Sequence, residues 1–203
     1  GNKVEMLIAI CAVLTSAIAV FIAWDQGRVM RAQQHGAVYP VIQIDGFVST
    51  SVDTASMGIR VSNSGVGPAL IEQVRMLRNG EPVASLNLYV DRFPSGYDLS
   101  WTSLIGRAIA PGSNVEPLRV DWSRDDISGD QLDAVAAEWS QLDAEICYCS
   151  VFDRCWITRG LGMGRTMGRA ERVKRCERSE VDLFEAVANA PRASGTETIS
   201  EVE

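Results

Sequence analysis

Three cysteines fall within nine residues in the stretch EICYCSVFDRCW, from Glu145 to Trp156: Cys147, Cys149 and Cys155. A fourth, Cys176, follows. Thiols at this density can form disulfides, hold a soft metal or exchange electrons. Alternate residues of a strand share a face, so Cys147 and Cys149 point the same way. The chain must then turn back. A three-residue loop, Val151-Phe152-Asp153, puts Asp153 in the left-handed position that Asp tolerates. That register sets Cys149 opposite Cys155 and Cys147 opposite Ile157, with β-carbons ~4.5–5.5 Å apart and near disulfide range. A two-residue loop, Asp153-Arg154, reverses the parity and separates Cys149 from Cys155.

The rival chemistries fit less well. Thiolates around zinc lie ~3.8 Å apart, whereas side chains two apart on a strand start ~7 Å apart. A Cys-x-x-Cys redox motif is absent. Free buried thiols stand as the plain alternative. The reading adopted is a Cys149–Cys155 disulfide. Cys147 and Cys176 are then the possible second pair, although nothing in the spacing brings them together.

Other catalytic constellations are not visible. His35 is the only histidine, and the sequence around it shows no catalytic motif, so a surface histidine is the reading and no catalytic residue is assigned. The turn Asn63-Ser-Gly-Val-Gly-Pro-Ala69 lacks the Gly-Lys-Ser/Thr ending of a phosphate loop and runs into a strand. In Arg159–Ala170, RGLGMGRTMGRA, the third glycine of a dinucleotide fingerprint is replaced by Arg165 or Met167, according to the frame. No cofactor and no metal site is expected. The net charge of −7 argues against nucleic acid as a partner.

These residues need a scaffold, and the chain begins with an anchor. Val4–Trp24 is a 21-residue apolar run, charged only at Glu5. At ~1.5 Å per residue it spans ~31 Å, the thickness of bilayer hydrocarbon. Its ten Val, Leu, Ile and Phe residues favour insertion by roughly 3–6 kcal/mol. A cleaved signal peptide is the rival, with Ala17-Ile-Ala19 as cleavage site, but Val20–Ala23 continues the apolar run past it. Arg28 and Arg31 after the span point to a cytoplasmic domain, while the cysteines point to an oxidising compartment. The reading taken is a single pass through the cell inner membrane, with the soluble domain extracytoplasmic.

Beyond the anchor the pattern is β. Val38–Ile44, Met57–Ser62, Ala69–Leu77, Val83–Leu86, Leu99–Ile105, Arg107–Ala110 and Val115–Trp122 read as strands, and Asn79-Gly80 is a strong hairpin signal. Ser128–Leu142 reads as one helix, from Leu132, Val135, Ala136 and Trp139. The expected fold is mainly β: an immunoglobulin-like β-sandwich with one late helix, preceded by a single transmembrane helix. The expected divisions are 1–24 transmembrane anchor, 25–36 juxtamembrane linker, 37–158 sandwich, 159–190 Gly/Arg-rich linker with short helices, and 191–203 disordered acidic tail. Ser179–Asp182 reads as a capping box for the last helix.

Between Arg159 and Arg178 lie six Arg and one Lys against two Glu. The plain reading is a solvated face. The functional one is contact with anionic lipid headgroups through Arg165, Arg169, Arg172, Lys174 and Arg175.

The apolar span with AWDQGRVMRAQQ, the stretches YPVIQI and SNSGVGPALIEQVRMLRNGEPV, and CYCSVFDRCW together resemble a group of uncharacterised bacterial single-pass membrane proteins. The likeness covers roughly residues 4–158. It implies an anchor plus a β-sandwich and no particular activity. Some members carry an adjacent cysteine pair near the position of Leu88–Val90, which this chain lacks. The expectation is a membrane-anchored, non-catalytic interaction or accessory module with an unknown protein partner. The alternative is a small envelope thiol or metal-binding protein using the four cysteines.

Overall fold

The computed structural model describes residues 2–160 and 170–188. The chain divides into two compact units, Gly1–Tyr39 and Pro40–Glu203.

The first unit is the helix α1, Asn2–Ala37. It is long and apolar enough to cross a membrane, a property that signal sequences share. Its large apolar side chains, from Val4 to Trp24, are exposed. The hydroxyls within the run are satisfied locally: Thr15 Oγ1 donates to Cys11 O at 3.0 Å and Ser16 Oγ to Ala12 O at 2.7 Å. Neither interrupts the apolar surface with an unpaired polar group. The polar segment after Trp24 continues the same helix; from Asp25 to Ala37 it adds ~20 Å.

The second unit is mainly β, with two antiparallel sheets. In the first sheet the order is β1 (Ile42–Thr50), β2 (Thr54–Asn63), β7 (Asn114–Ser123), β5 (Tyr97–Trp101). In the second the order is β10 (Glu171–Val173), β9 (Cys155–Arg159), β8 (Leu142–Cys149), β3 (Ala69–Arg78), β4 (Glu81–Pro82), with β6 (Ala108–Ile109) also on β3. Period-two alternation decides which side chains face inward. Ala55, Met57, Ile59 and Val61 of β2 join Leu118, Val120 and Trp122 of β7 in one core. The second sheet adds Leu142, Ala144, Ile146 and Tyr148 of β8.

On β3 the inward positions shift from Ile71 to Val74 and Met76. A bulge between Ile71 and Gln73 causes this: Glu72 has no partner across the β3–β8 ladder, so the parity changes by one residue. In the first sheet Gly58 meets Phe47 on one neighbour and Leu118 on the other. A β-carbon at Gly58 would lie 2.4 Å from Leu118 O and 2.9 Å from Phe47 Cζ.

Asn79 and Gly80 both take positive φ, 54° and 85°, the turn in which Asn-Gly is preferred. Helix α3, Gly129–Trp139, opens on a capping box in which Gln131 N donates to Ser128 Oγ and Ser128 N to Gln131 Oε1. Its Trp139 stacks on Phe93, with ring centroids 5.6 Å apart.

Several elements differ from the sequence reading. The first strand starts at Ile42, not Val38, because Val41 spends its N–H on Asn63 Oδ1 in the preceding loop. The hairpin return is only Glu81–Pro82, and Asn87–Val90 forms a short helix, α2. The residues after Arg159 are more than a linker: β10 extends the second sheet and α4, Leu183–Ala188, buries Phe184 and Val187 in the core. Asp182 caps α4, accepting from Phe184 N at 2.9 Å, rather than Ser179. The 191–203 segment lies outside the described residues.

Candidate functional site

Strand β8 is buried on both faces. Its inward residues enter the main core, while Cys147 and Cys149 face the other way. There they form a second cluster with Cys155 and Cys176, against which Ile157 and Val173 pack. The register of β8 with β9 is the one a three-residue loop dictates. Cys149 pairs with Cys155, Cys147 with Ile157 and Tyr148 with Trp156. Ser150 N donates to Arg154 O at 2.8 Å, closing the loop Val151–Asp153, and Asp153 takes φ 55°.

Both sulfur pairs are bonded. Cys149–Cys155 has an S–S distance of 2.05 Å directly across the hairpin. Cys147–Cys176 has 2.03 Å and ties the segment after β10 to the outer face of β8. The two bonds touch, since Cys149 Sγ lies 3.7 Å from Cys176 Sγ. The Sγ atoms of Cys149, Cys155 and Cys176 lie within 4.8 Å of one another, a spacing that would suit a thiolate-bound metal. With each sulfur in a covalent pair, no thiolate is offered.

How Cys176 reaches Cys147 is visible only in three dimensions. β10 runs antiparallel to β9, with Val173 opposite Cys155. The chain then passes over the outer face of β8. The Glu72 bulge helps to hold it there: Ser179 N donates to Glu72 O at 3.1 Å.

The basic residues divide. Arg172 lies on the edge strand β10, and Lys174 and Arg175 follow it, all exposed. Arg165 and Arg169 lie outside the described residues. His35 sits in the last turn of α1.

Among the described residues, three of the polar clusters that escaped the sequence reading lie on or beside the second sheet. Glu145 is buried on β8, salt-bridged to Arg75 of β3 and Arg159 of β9, each at 2.5 Å. The hydrogen bond to Glu145 raises Arg159 above the ordinary arginine value. The cross-strand register of Arg75, Glu145 and Arg159 would have shown the triad had it been known. Asp182 Oδ2 accepts from Ser103 Oγ at 2.7 Å and Leu104 N at 3.0 Å, fastening α4 to a loop. Buried Asn63 uses its whole amide: Oδ1 accepts from Val41 N and Gly65 N, and Nδ2 donates to Gly67 O and Ile109 O. The Asn-x-Gly-x-Gly-Pro-Ala turn was the visible sign of that network.

Two open clefts border these clusters. One, of about 570 Å³, is lined by residues including Ser103, Arg178, Asp182 and Glu185. The other, of about 360 Å³, includes Arg75, Asp143, Glu145 and Arg159. In the second, Arg75 and Arg159 are engaged with Glu145; in the first, Asp182 is held by Ser103 and Leu104, and Arg178 pairs with Glu72.

No family model, curated protein or solved structure matches this chain.

Proposed function

We propose that this chain is a membrane-anchored, non-catalytic interaction or accessory module. Its soluble part is a β-sandwich of immunoglobulin-like type, standing on the extracytoplasmic side of the cell inner membrane. One observation carries the reading: a fully exposed apolar helix is joined to a two-sheet domain held by two disulfides. Exposed apolar surface of that extent needs a lipid or protein cover, and paired disulfides belong to oxidising compartments. The buried carboxylates Glu145 and Asp182 are tied to structural partners, which supports a scaffold over a reaction centre.

The partner is an unidentified protein. Arg172 on the exposed sheet edge, with Lys174 and Arg175 just after it, is available to it, or to anionic headgroups as a secondary contact. No cofactor is invoked.

Maleimide mass-tagging with an impermeant reagent, on cells with an opened outer envelope, tests both halves. The reading expects the chain to stay in carbonate-washed membranes and the four cysteines to tag from outside only after reduction. Release by carbonate sinks the anchor. Tagging without reductant, and only after lysis, sinks the extracytoplasmic placement.

A further inference from the structure

The four clustered sulfurs form a continuous row, Cys147–Cys176 followed by Cys149–Cys155, with a gap of 3.7 Å between Cys176 and Cys149. That gap is close to the contact distance of two sulfur atoms. All four are buried, at 2%, 9%, 8% and 3% exposure in the order just given. A thiolate freed inside the row therefore meets a neighbouring disulfide before it meets solvent thiols.

We propose that this row is an internal thiol–disulfide exchange relay, whose shared product is a Cys149–Cys176 bond. The claim is independent of the anchoring role. The external co-reactant is a thiol or dithiol reductant. Its thiolate attacks Cys155 Sγ, forms a mixed disulfide and breaks Cys149–Cys155; the electron pair leaves on Cys149. The Cys149 thiolate attacks Cys176 Sγ, forming Cys149–Cys176 and breaking Cys147–Cys176. The electron pair leaves on Cys147, which takes a proton from water. A second reductant thiolate attacks its own sulfur in the mixed disulfide and releases Cys155. Two electrons enter, one external disulfide leaves, and the chain retains one bond of new connectivity with thiols at Cys147 and Cys155. The internal step gains from proximity, since the reacting sulfurs are already held 3.7 Å apart, just beyond the ~3–3.5 Å of a near-attack geometry.

The relay makes one prediction from either end. In full-length Cys155→Ala, the thiolate of Cys149 should displace Cys147. In full-length Cys147→Ala, the thiolate of Cys176 should attack Cys149 and displace Cys155. Both variants should converge on Cys149–Cys176. Each is incubated at pH 8 in detergent without reductant, quenched in acid, unfolded and alkylated, and the sites are read by fragment mass spectrometry. Cys11 serves as the internal alkylation control. The expected result is a shift of the label from Cys149 to Cys147 in the first variant, and from Cys176 to Cys155 in the second. Label remaining on Cys149 and on Cys176 would overturn the relay. Limiting dithiothreitol on the wild-type chain avoids variants that fail to fold. The first thiols to appear should be Cys147 and Cys155, and the appearance instead of an original bonded pair overturns the proposal.

Discussion

The two disulfides close loops of very different length, and this sets their separate contributions to stability. Cys147 and Cys176 are 29 residues apart, Cys149 and Cys155 only six. In the chain-entropy treatment, cross-linking removes freedom from the unfolded chain in proportion to the logarithm of loop length. The long loop is worth ~3.6 kcal/mol and the short one ~2.2 kcal/mol at 25 °C. Replacing each pair by alanine removes two buried sulfurs in either case, so the packing loss is similar and largely cancels in the comparison. Cys147→Ala/Cys176→Ala should therefore be less stable than Cys149→Ala/Cys155→Ala by about 1.4 kcal/mol. Urea unfolding in detergent, followed through the buried Trp122, Trp139 and Trp156, measures this by linear extrapolation. The slope should also rise in both variants, because an uncrosslinked unfolded chain exposes more surface. If the short-loop variant is equally or more destabilised, the entropic reasoning fails and the bonds act through native packing of the sulfur cluster.

Three further perturbations address the sheets. Gly58→Ala places a β-carbon against Leu118 O and Phe47; it should cost about 1–3 kcal/mol in the same urea assay. Arg75→Met/Arg159→Met leaves Glu145 buried without its salt bridges and should cost ~3–5 kcal/mol. Adding Glu145→Leu should recover most of that, and no recovery would show that the charge is not the cause. Burial pushes the Asp121 carboxyl up, but hydrogen bonds from Arg119 and Ser56 outweigh it and hold it below its ordinary value of 3.8. A depressed carboxyl contributes stability that is complete above its unfolded value and is lost as pH falls through the lower folded one. The wild type should thus lose its advantage over Asp121→Asn below about pH 4. A constant difference between them from pH 7 to pH 3, by urea titration, would refute the assignment.

The hairpin was legible because its logic is local. Strand parity and a left-handed Asp153 led to Cys149 opposite Cys155 for a three-residue loop, and the loop length decided against the opposite parity of a two-residue one. The Asn79-Gly80 turn was legible for the same reason. The partner of Cys147 was not, because Cys176 arrives through a three-residue edge strand whose position depends on β9. The bulge at Glu72 also hid, since it breaks the alternation that sequence reading relies on. The first strand was misplaced because the apolar residues before Ile42 serve a loop, while Asp45-Gly46 interrupts the pattern of the true strand. Buried charges are hard to see in general: Glu145 looks like any exposed glutamate until its cross-strand neighbours are known.

The Cys147–Cys176 bond also changes what a cut in the chain would do. Every peptide bond between these two residues lies inside a covalent ring. A protease acting at Arg165 or Arg169 would open that ring without detaching the segment that carries β10 and α4. On a denaturing gel the nicked protein would migrate as one species until reduced, and only then separate into two. Cleavage and separation are thus two distinct events here, the first governed by a protease and the second by a reductant.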